Sequence, residues 1–310
     1  MVQADPRQLP KSKSALVRFW NKNKWAWLFL SPWFIGMFCL GIIPMLASFF
    51  LSLTDYDLYR APRFIGIDNY VQMFSEDTRY KKAIMVTLTY VGLGVPLVLL
   101  FSLAFAMMLN RGIRGLSVYR AIYYIPSLLG GSVAVAILWR QVFGTDGLIN
   151  HVLRFFGVMS ETSWVSNPNT ALYTLVALKV WQFGSPMVIF LAGLRQIPKE
   201  LYESSAIDGA NRVQTFFKIT IPLLSPIIFF NLVMQTIAAF QAFTPAYVIG
   251  GGSGGALDSI LFYTLYLYIK AFQHFSMGYA SAMAWILLLM IAAFTSLLFW
   301  LSKRWVYYES

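Results

Sequence analysis

Cysteine is all but missing from this chain. The one copy, Cys39, lies in an apolar run, can close no internal disulfide and has no neighbouring ligands with which to hold a metal. It reads as a small buried hydrophobe. Histidine is nearly as scarce. His151 and His274 have no metal-ligand spacing to each other or to the cysteine. The 13 carboxylates are scattered between the apolar runs, so no general acid–base pair stands out. No G-x-x-x-x-G-K-[ST] phosphate loop occurs, so any nucleotide must be bound elsewhere. Charge of any sign is thin, at 12% of residues, about half the ~25% of soluble domains. These shortages exclude a disulfide scaffold, an evident metalloenzyme and a soluble globular domain. Apolar side chains are abundant instead: 58% of the chain is hydrophobic and 17% aromatic, with a mean hydropathy of +0.62. That composition defines an integral membrane protein, with Trp and Tyr gathering where lipid meets water. The net charge of +11 does not indicate nucleic acid, because Lys and Arg flank the apolar runs and form no basic stripe.

Six runs are long enough to span a bilayer: Trp25–Leu53, Ile84–Leu109, Ala121–Phe143, Thr170–Ala192, Leu223–Ile249 and Tyr279–Leu301. Each reaches the ~20 residues a helix needs to cross ~30 Å of hydrocarbon. Ile260–Phe272 is shorter, a size that suits an interfacial or re-entrant segment. The first run far exceeds the apolar core of a signal peptide and is expected to be an uncleaved anchor. One face of this arrangement collects Arg7, Lys11, Lys13, Arg18, Lys22 and Lys24, then Arg111, Arg114 and Arg120, then Arg195, Lys199, Arg212 and Lys218, and finally Lys303 and Arg304. The other face has only Arg60, Arg63, Arg79, Lys81, Lys82, Arg140, Arg154 and Lys270, while Lys179 falls within a span. The excess of basic residues predicts that both termini face the cytoplasm. The expected organisation is a basic tail (1–24), a membrane domain (25–302) and a short C-terminal tail (303–310). On the outer side Leu148, Ile149, Val152, Leu153 and Phe156 recur at helical spacing, predicting a short surface helix that is either interfacial or a partner contact.

Between the fourth and fifth spans lies a polar connector, residues 193–221, assigned to the cytoplasm. Pro198 suits the first position of a helix running to about Ile207. Gly209 then supplies a turn of positive φ, and Asn211 with Gln214 forms a capping box for a second short helix. Val213, Phe216 and Phe217 fall on one face. The resulting helix–turn–helix carries small residues (Ser204, Ser205, Ala206, Gly209, Ala210) and two acids, Glu203 and Asp208. Small residues admit another backbone closely, and the acids can pair with Arg or cap N–H groups. From these residues alone, the unit either docks a partner or packs on its own bundle.

The run Glu203-Ser204-Ser205, with Gly209, Ile219 and Pro222 at the following spacing, resembles the EAA loop of the membrane subunits of binding-protein-dependent ABC importers. Ser204 and Ser205 stand where the family has alanines, which keeps the small size. Ile197–Glu203 with Ala206–Ala210, Ala192-Gly193-Leu194, Gly66-Ile67-Asp68-Asn69-Tyr70, Tyr124-Ile125-Pro126 and Gly278-Tyr279-Ala280-Ser281-Ala282 resemble the carbohydrate branch. The chain is similar to the larger maltose permease without its external domain. Ile249-Gly250-Gly251-Gly252-Ser253 departs from the family's usual Thr-Gly-Gly-Gly-Pro. The resemblance implies an all-α, polytopic, six-span permease of the type I importer class in a bacterial or archaeal inner membrane. It implies a second permease, two ATP-binding subunits, an external sugar-binding protein and a carbohydrate substrate. ATP and magnesium would sit on the ATPase subunits and no cofactor on this chain. Glu203, Ser204, Ser205, Ala206, Asp208, Gly209 and Ala210 would take the push of the ATPases.

Polar groups inside spans are costly to leave facing lipid and are functional candidates. The fourth span holds Lys179, Trp181 and Gln182; the fifth holds Asn231, Gln235 and Gln241, with Phe240 and Tyr247 nearby. Amides can bond sugar hydroxyls and rings can cover sugar faces, but the same amides also serve as glue between helices. Lys179 can neutralise an acidic sugar, pair internally or snorkel to the interface. Gly251-Gly252-Ser253-Gly254-Gly255 matches the serine motif of rhomboid-type intramembrane proteases. Such an enzyme needs a base beside Ser253, and the alternative reading as a flexible loop is the simpler one. A permease for glycerol phosphate is a further alternative. A secondary transporter is disfavoured by the near absence of carboxylates from the spans.

Overall fold

A computed structural model describes residues 15–110, 115–158 and 161–307, with side chains from residue 24 onward. Arg7, Lys11, Lys13, Arg111 and Arg114 therefore lie outside the described residues, as do the side chains of Arg18 and Lys22. The described residues are helical almost throughout, with one isolated bridge between Thr54 and Phe64. Helix α1 (Ala15–Gly36) passes through a π turn (Met37–Ile42) into α2 (Ile43–Ser52). It begins ten residues before Trp25, so the helix enters the basic tail. After α3 (Asp68–Ser75) comes the long α4 (Thr78–Leu109). The third apolar run is divided into α5 (Leu116–Leu129) and α6 (Val133–Val142), and α7 (Leu148–Phe155) follows on a loop. The fourth run is divided as well, into α8 (Ala171–Trp181) and α9 (Gly184–Leu194). Then come α10 (Lys199–Ile207), α11 (Arg212–Thr215), α12 (Ile221–Phe240), α13 (Thr244–Ile249), α14 (Tyr263–Tyr268) and α15 (Met277–Ser302).

Among the described residues four helical runs are long and apolar enough to cross a membrane unaided: 24–52, 78–109, 212–249 and 277–302. The other two predicted spans are bent pairs. The axes of α5 and α6 differ by 99° and those of α8 and α9 by 42°. Composition alone did not show this, because a break of two or three residues barely changes the hydropathy of a run of about twenty.

α4 is the central post, packed against α8, α9, α12 and α14. Its start is set by Asp77, whose carboxylate accepts the Tyr80 N–H at 2.9 Å as a side-chain N-cap. Most of the short 260–272 segment is covered by protein, although Phe272 at its end is exposed. Ile260, Leu261, Tyr263 and Leu265 are completely buried, and α14 lies at the heart of the core between α4 and α15. Its aromatic and branched residues find more apolar neighbours there than lipid headgroups would offer. Cys39 departs from expectation in the opposite sense: it is exposed on the π turn, because the α1–α2 run meets little of the bundle apart from α15.

Several of the sequence landmarks are close approaches of backbone. Gly278 donates its N–H to Tyr56 O at 2.9 Å, and a Cβ there would run into the Thr54 carbonyl. Buried Asn69 donates to Ser52 O and Thr54 O at 2.9 and 2.8 Å, while Tyr70 bonds Ser52 Oγ. The 66–70 and 278–282 stretches thus converge on the turn that ends α2. Gly193 lets α9 approach Leu224 and Ile227 of α12, and Gly184 lets α9 meet the Tyr123–Tyr124 backbone of α5.

Candidate functional site

The interior polar groups gather where helices break. α5 stops at Leu129 and α6 starts after Ser132; α8 stops at Trp181 and α9 starts at Gly184; α12 stops at Phe240 and α13 starts at Thr244. Within hydrocarbon, non-helical backbone is tolerated only where protein covers it or where it lines a wet cavity. All three breaks border one cavity of about 310 Å³. It is lined by Gly130 and Gly131 from the first break, Gln182 and Ser185 from the second, and Ala242, Phe243 and Thr244 from the third. Backbone freed by the breaks is satisfied in specific ways. Gln182 donates Nε2–H to Gly130 O at 3.2 Å, tying the first break to the second. Ser102 of α4, whose hydroxyl lies 2.6 Å from Val98 O of its own helix, also reaches Phe183 O at 2.9 Å, an oxygen that accepts the Met187 N–H of α9 as well.

Lys179 and Gln235 line the same cavity. The Lys179 ammonium donates to Gln235 Oε1 at 3.1 Å. Lys179 is 9% exposed, so it does not snorkel outward. Its stem crosses Gly94 of α4, where a Cβ would lie 2.9 Å from Lys179 Cδ. A Cβ on Gly130 would likewise collide with the Gln182 amide. Two glycines thus make room for two polar side chains. Among the described residues the ion pairs are Arg63–Asp55, Arg79–Asp258 and Lys270–Asp77, and Lys179 belongs to none of them.

The remaining residues proposed for a pathway lie elsewhere. Trp181 turns to an apolar groove with Phe105 and Phe183. Asn231 is buried and bonds Ile227 O on its own helix at 3.1 Å. Phe240 packs on Phe294 in the core. Gln241 is exposed, and Tyr247 stacks on Phe243 with centroids 5.3 Å apart. Tyr90, Ser127 and Ser185 line the cavity without having been singled out. The signal available for the two serines was the small-residue interruption of two apolar runs, Gly130-Gly131 and Gly184-Ser185-Pro186, and Tyr90 within α4 had none.

The connector is a helix–turn–helix. Pro198 precedes α10 as its N-cap, one position earlier than expected. Gly209 has φ +76°. Ala210 N–H bonds Ser205 O and Gly209 N–H bonds Ala206 O, at 2.9 and 3.2 Å, the paired bonds of a Schellman ending. Asn211 and Gln214 form the reciprocal capping box. Tyr202 OH lies 3.2 Å from Thr220 Oγ1, bracing α10 against the start of α12. Glu203, Ser204, Ala206, Asp208 and Gly209 are exposed, Ala210 is half-buried and Ser205 is buried. Ile207 is 86% exposed, and Val213 and Phe217 are exposed too.

At the opposite end of α4, Asp77 accepts from Tyr266 OH at 2.6 Å and Tyr279 OH at 2.8 Å, and pairs with Lys270 at 3.2 Å. Burial opposes its ionisation. The bonds from Tyr266, the Tyr80 N–H, Tyr279 and Lys270 outweigh that cost and lower its pKa to about 2. Next to it, Arg79 forms a bidentate pair with Asp258 at 2.8 and 2.7 Å and donates to Ser253 O, pinning the glycine-rich loop. Ser253 Oγ donates to Gly250 O at 3.0 Å, and His151 Nδ1 lies 3.0 Å from Gly147 O. The serine is engaged in its own turn.

A bundle of apolar spans, broken around a polar cavity and carrying a projecting helical arm, has the construction of a solute permease. The chain belongs to the family described as binding-protein-dependent transport system inner membrane component, whose model matches residues 78–307. It is 55% identical to YesP of Bacillus subtilis, called a probable ABC transporter permease protein, over 96% of each chain. It is 30% identical to the lactose transport system permease protein LacF of Rhizobium radiobacter, over 94% of this chain and 98% of that one. In fold it matches a chain of a bacterial alginate ABC transporter solved with an alginate pentasaccharide-bound periplasmic protein. The TM-score is 0.79 at 22% identity, over 93% of this chain and 98% of that chain. The family is one of ABC transporter permease subunits, not of enzymes, and the chain is a multi-pass membrane protein.

Proposed function

We propose that this chain is one of two permeases of an ATP-driven sugar importer, and that the cavity at the three helix breaks is its half of the translocation site. The observation that carries the reading is the convergence of Gln182, Gln235 and Lys179 with Tyr90 and Phe243 on that cavity. Amides suit sugar hydroxyls and aromatic rings suit sugar faces. Relatives named for lactose and alginate transport support the carbohydrate assignment. In this reading both termini and the 193–221 arm are cytoplasmic, with 1–24 and 303–310 as tails and 25–302 as the membrane domain. The arm seats in ATPase subunits through Glu203, Ser204, Ser205, Ala206, Asp208, Gly209 and Ala210. Two such subunits bind ATP and magnesium, and a receptor protein delivers sugar from outside.

Co-purification from the native membrane tests this. The expected outcome is a second permease and an ATPase in the same complex, with ATP hydrolysis stimulated by the oligosaccharide-loaded receptor. Solute movement by the isolated chain, or a complex without an ATPase, would overturn it.

A further inference from the structure

Among the described residues the cavity holds a cation with no countercharge. Among its lining residues Lys179 is the one charged side chain, and no carboxylate is among them. Within the described residues its ammonium has one hydrogen-bond acceptor, the neutral Gln235 amide oxygen, although an ammonium has three N–H groups to place. A buried, uncompensated charge is costly and is retained where it serves a purpose. The cost was not avoided here by letting the side chain escape to water: Gly94 accommodates the stem and Lys179 is 9% exposed. Its place in the last turn of α8 puts it beside the partial negative charge of a helix C-terminus. That supports an ammonium between turnovers without filling its donors.

We infer that the transported carbohydrate bears a carboxylate, a uronic acid unit, and that Lys179 receives it in this cavity while Gln182 and Gln235 read neighbouring hydroxyls. The inference rests on the sugar-importer reading. One ammonium matches one carboxylate in charge. A phosphate dianion carries more charge than one ammonium balances and typically calls for an Arg fork, and no Arg is among the described residues that line the cavity. The amides suit hydroxyls and leave the ion pair as the element that separates acidic from neutral sugars. Desolvated pairing of this kind gives discrimination, because a neutral sugar leaves the lysine without its partner.

The test uses the assembled transporter with its own receptor, reconstituted in ATP-loaded liposomes. Uronate disaccharides of the gluco, galacto and manno series are compared with their carboxyl-reduced counterparts and with sn-glycerol 3-phosphate. Wild type is expected to take up a uronate member in preference to its reduced counterpart. Lys179→Gln should lower uptake of that uronate at least about tenfold and remove the preference, while Lys179→Arg should retain it in part. Complex recovered by co-purification controls for assembly. Wild-type uptake without preference for the acid overturns the inference and leaves the sugar reading standing. So does equal loss of acidic and neutral sugars in Lys179→Gln, which would make Lys179 a structural partner of the second permease. Uptake of glycerol phosphate alone overturns the sugar reading itself, and uptake of none of these probes overturns the uronate inference while leaving the sugar reading standing.

Discussion

Gly209 and Asp77 show how single residues set the two ends of this molecule. Gly209 sits at φ +76° with open space where a Cβ would point, so a substitution there is opposed by backbone conformation and not by crowding. Gly209→Val places a β-branched residue in the left-handed region, at a cost of about 1–2 kcal/mol or more. The strain is expected to shift α10 relative to α11 and to uncouple transport from ATP hydrolysis in the assembled transporter; full transport by that variant would contradict the coupling role. Asp77 has its pKa lowered to about 2, from an ordinary value of 3.8. A group whose folded pKa is depressed contributes stability that is fully present above its unfolded pKa and is lost as pH falls toward the folded value. Thermal unfolding in detergent should therefore separate wild type from Asp77→Asn at pH 6, with the gap narrowing as the pH falls from about 4 toward 2. A gap independent of pH would mean that Asp77 acts only as an uncharged cap.

At the scale of elements, the broken helices are the informative feature. Neighbouring elements reach in at the breaks: Gln182 donates to Gly130 O, and Ser102 of α4 reaches Phe183 O, which also accepts the Met187 N–H of α9. Ser102→Ala removes the bond from α4 to the α8–α9 break. A loss of about 1 kcal/mol is expected, together with a looser α9, measurable as faster amide exchange after Gly184. Gly278→Val should be more severe, because its side chain would enter the space of the Thr54 carbonyl and separate α15 from the end of α2. Failure of the complex to assemble would be the readout. The glycine-rich loop held by Arg79 has a different standing: Ser253→Ala removes one bond to Gly250 O and should leave uptake unchanged, whereas a protease would lose all activity.

For the whole molecule, the cavity and the arm lie in successive parts of one chain, with α9 running from the second break to the arm. Movement of α10 is therefore expected to reach the Gln182 break through α9, which packs on both α4 and α12. A cysteine at Ile207, which is 86% exposed, should crosslink to an ATPase subunit in the native complex and do so differently with ATP and without it. A crosslink yield indifferent to nucleotide would argue that the arm is static.

Much of this was legible from residue order alone. Apolar length determines which segments can enter a membrane, because hydrocarbon excludes polar backbone whatever the tertiary context. Local chemistry fixed the arm: an αL glycine and an Asn–Gln capping box satisfy their own neighbours within a few residues. The partners of Lys179 and Gln182 were not legible, since they depend on which helices lie side by side. Gln235 is 56 residues from Lys179 and Gly130 is 52 from Gln182. The sharp bend between α5 and α6, the burial of Ile260–Tyr263 with Leu265 and Tyr266, and the placement of Asn231 and Phe240 away from the cavity were decided by tertiary packing. Hydropathy records how much a segment prefers to leave water, but not which neighbour it will meet once it has left.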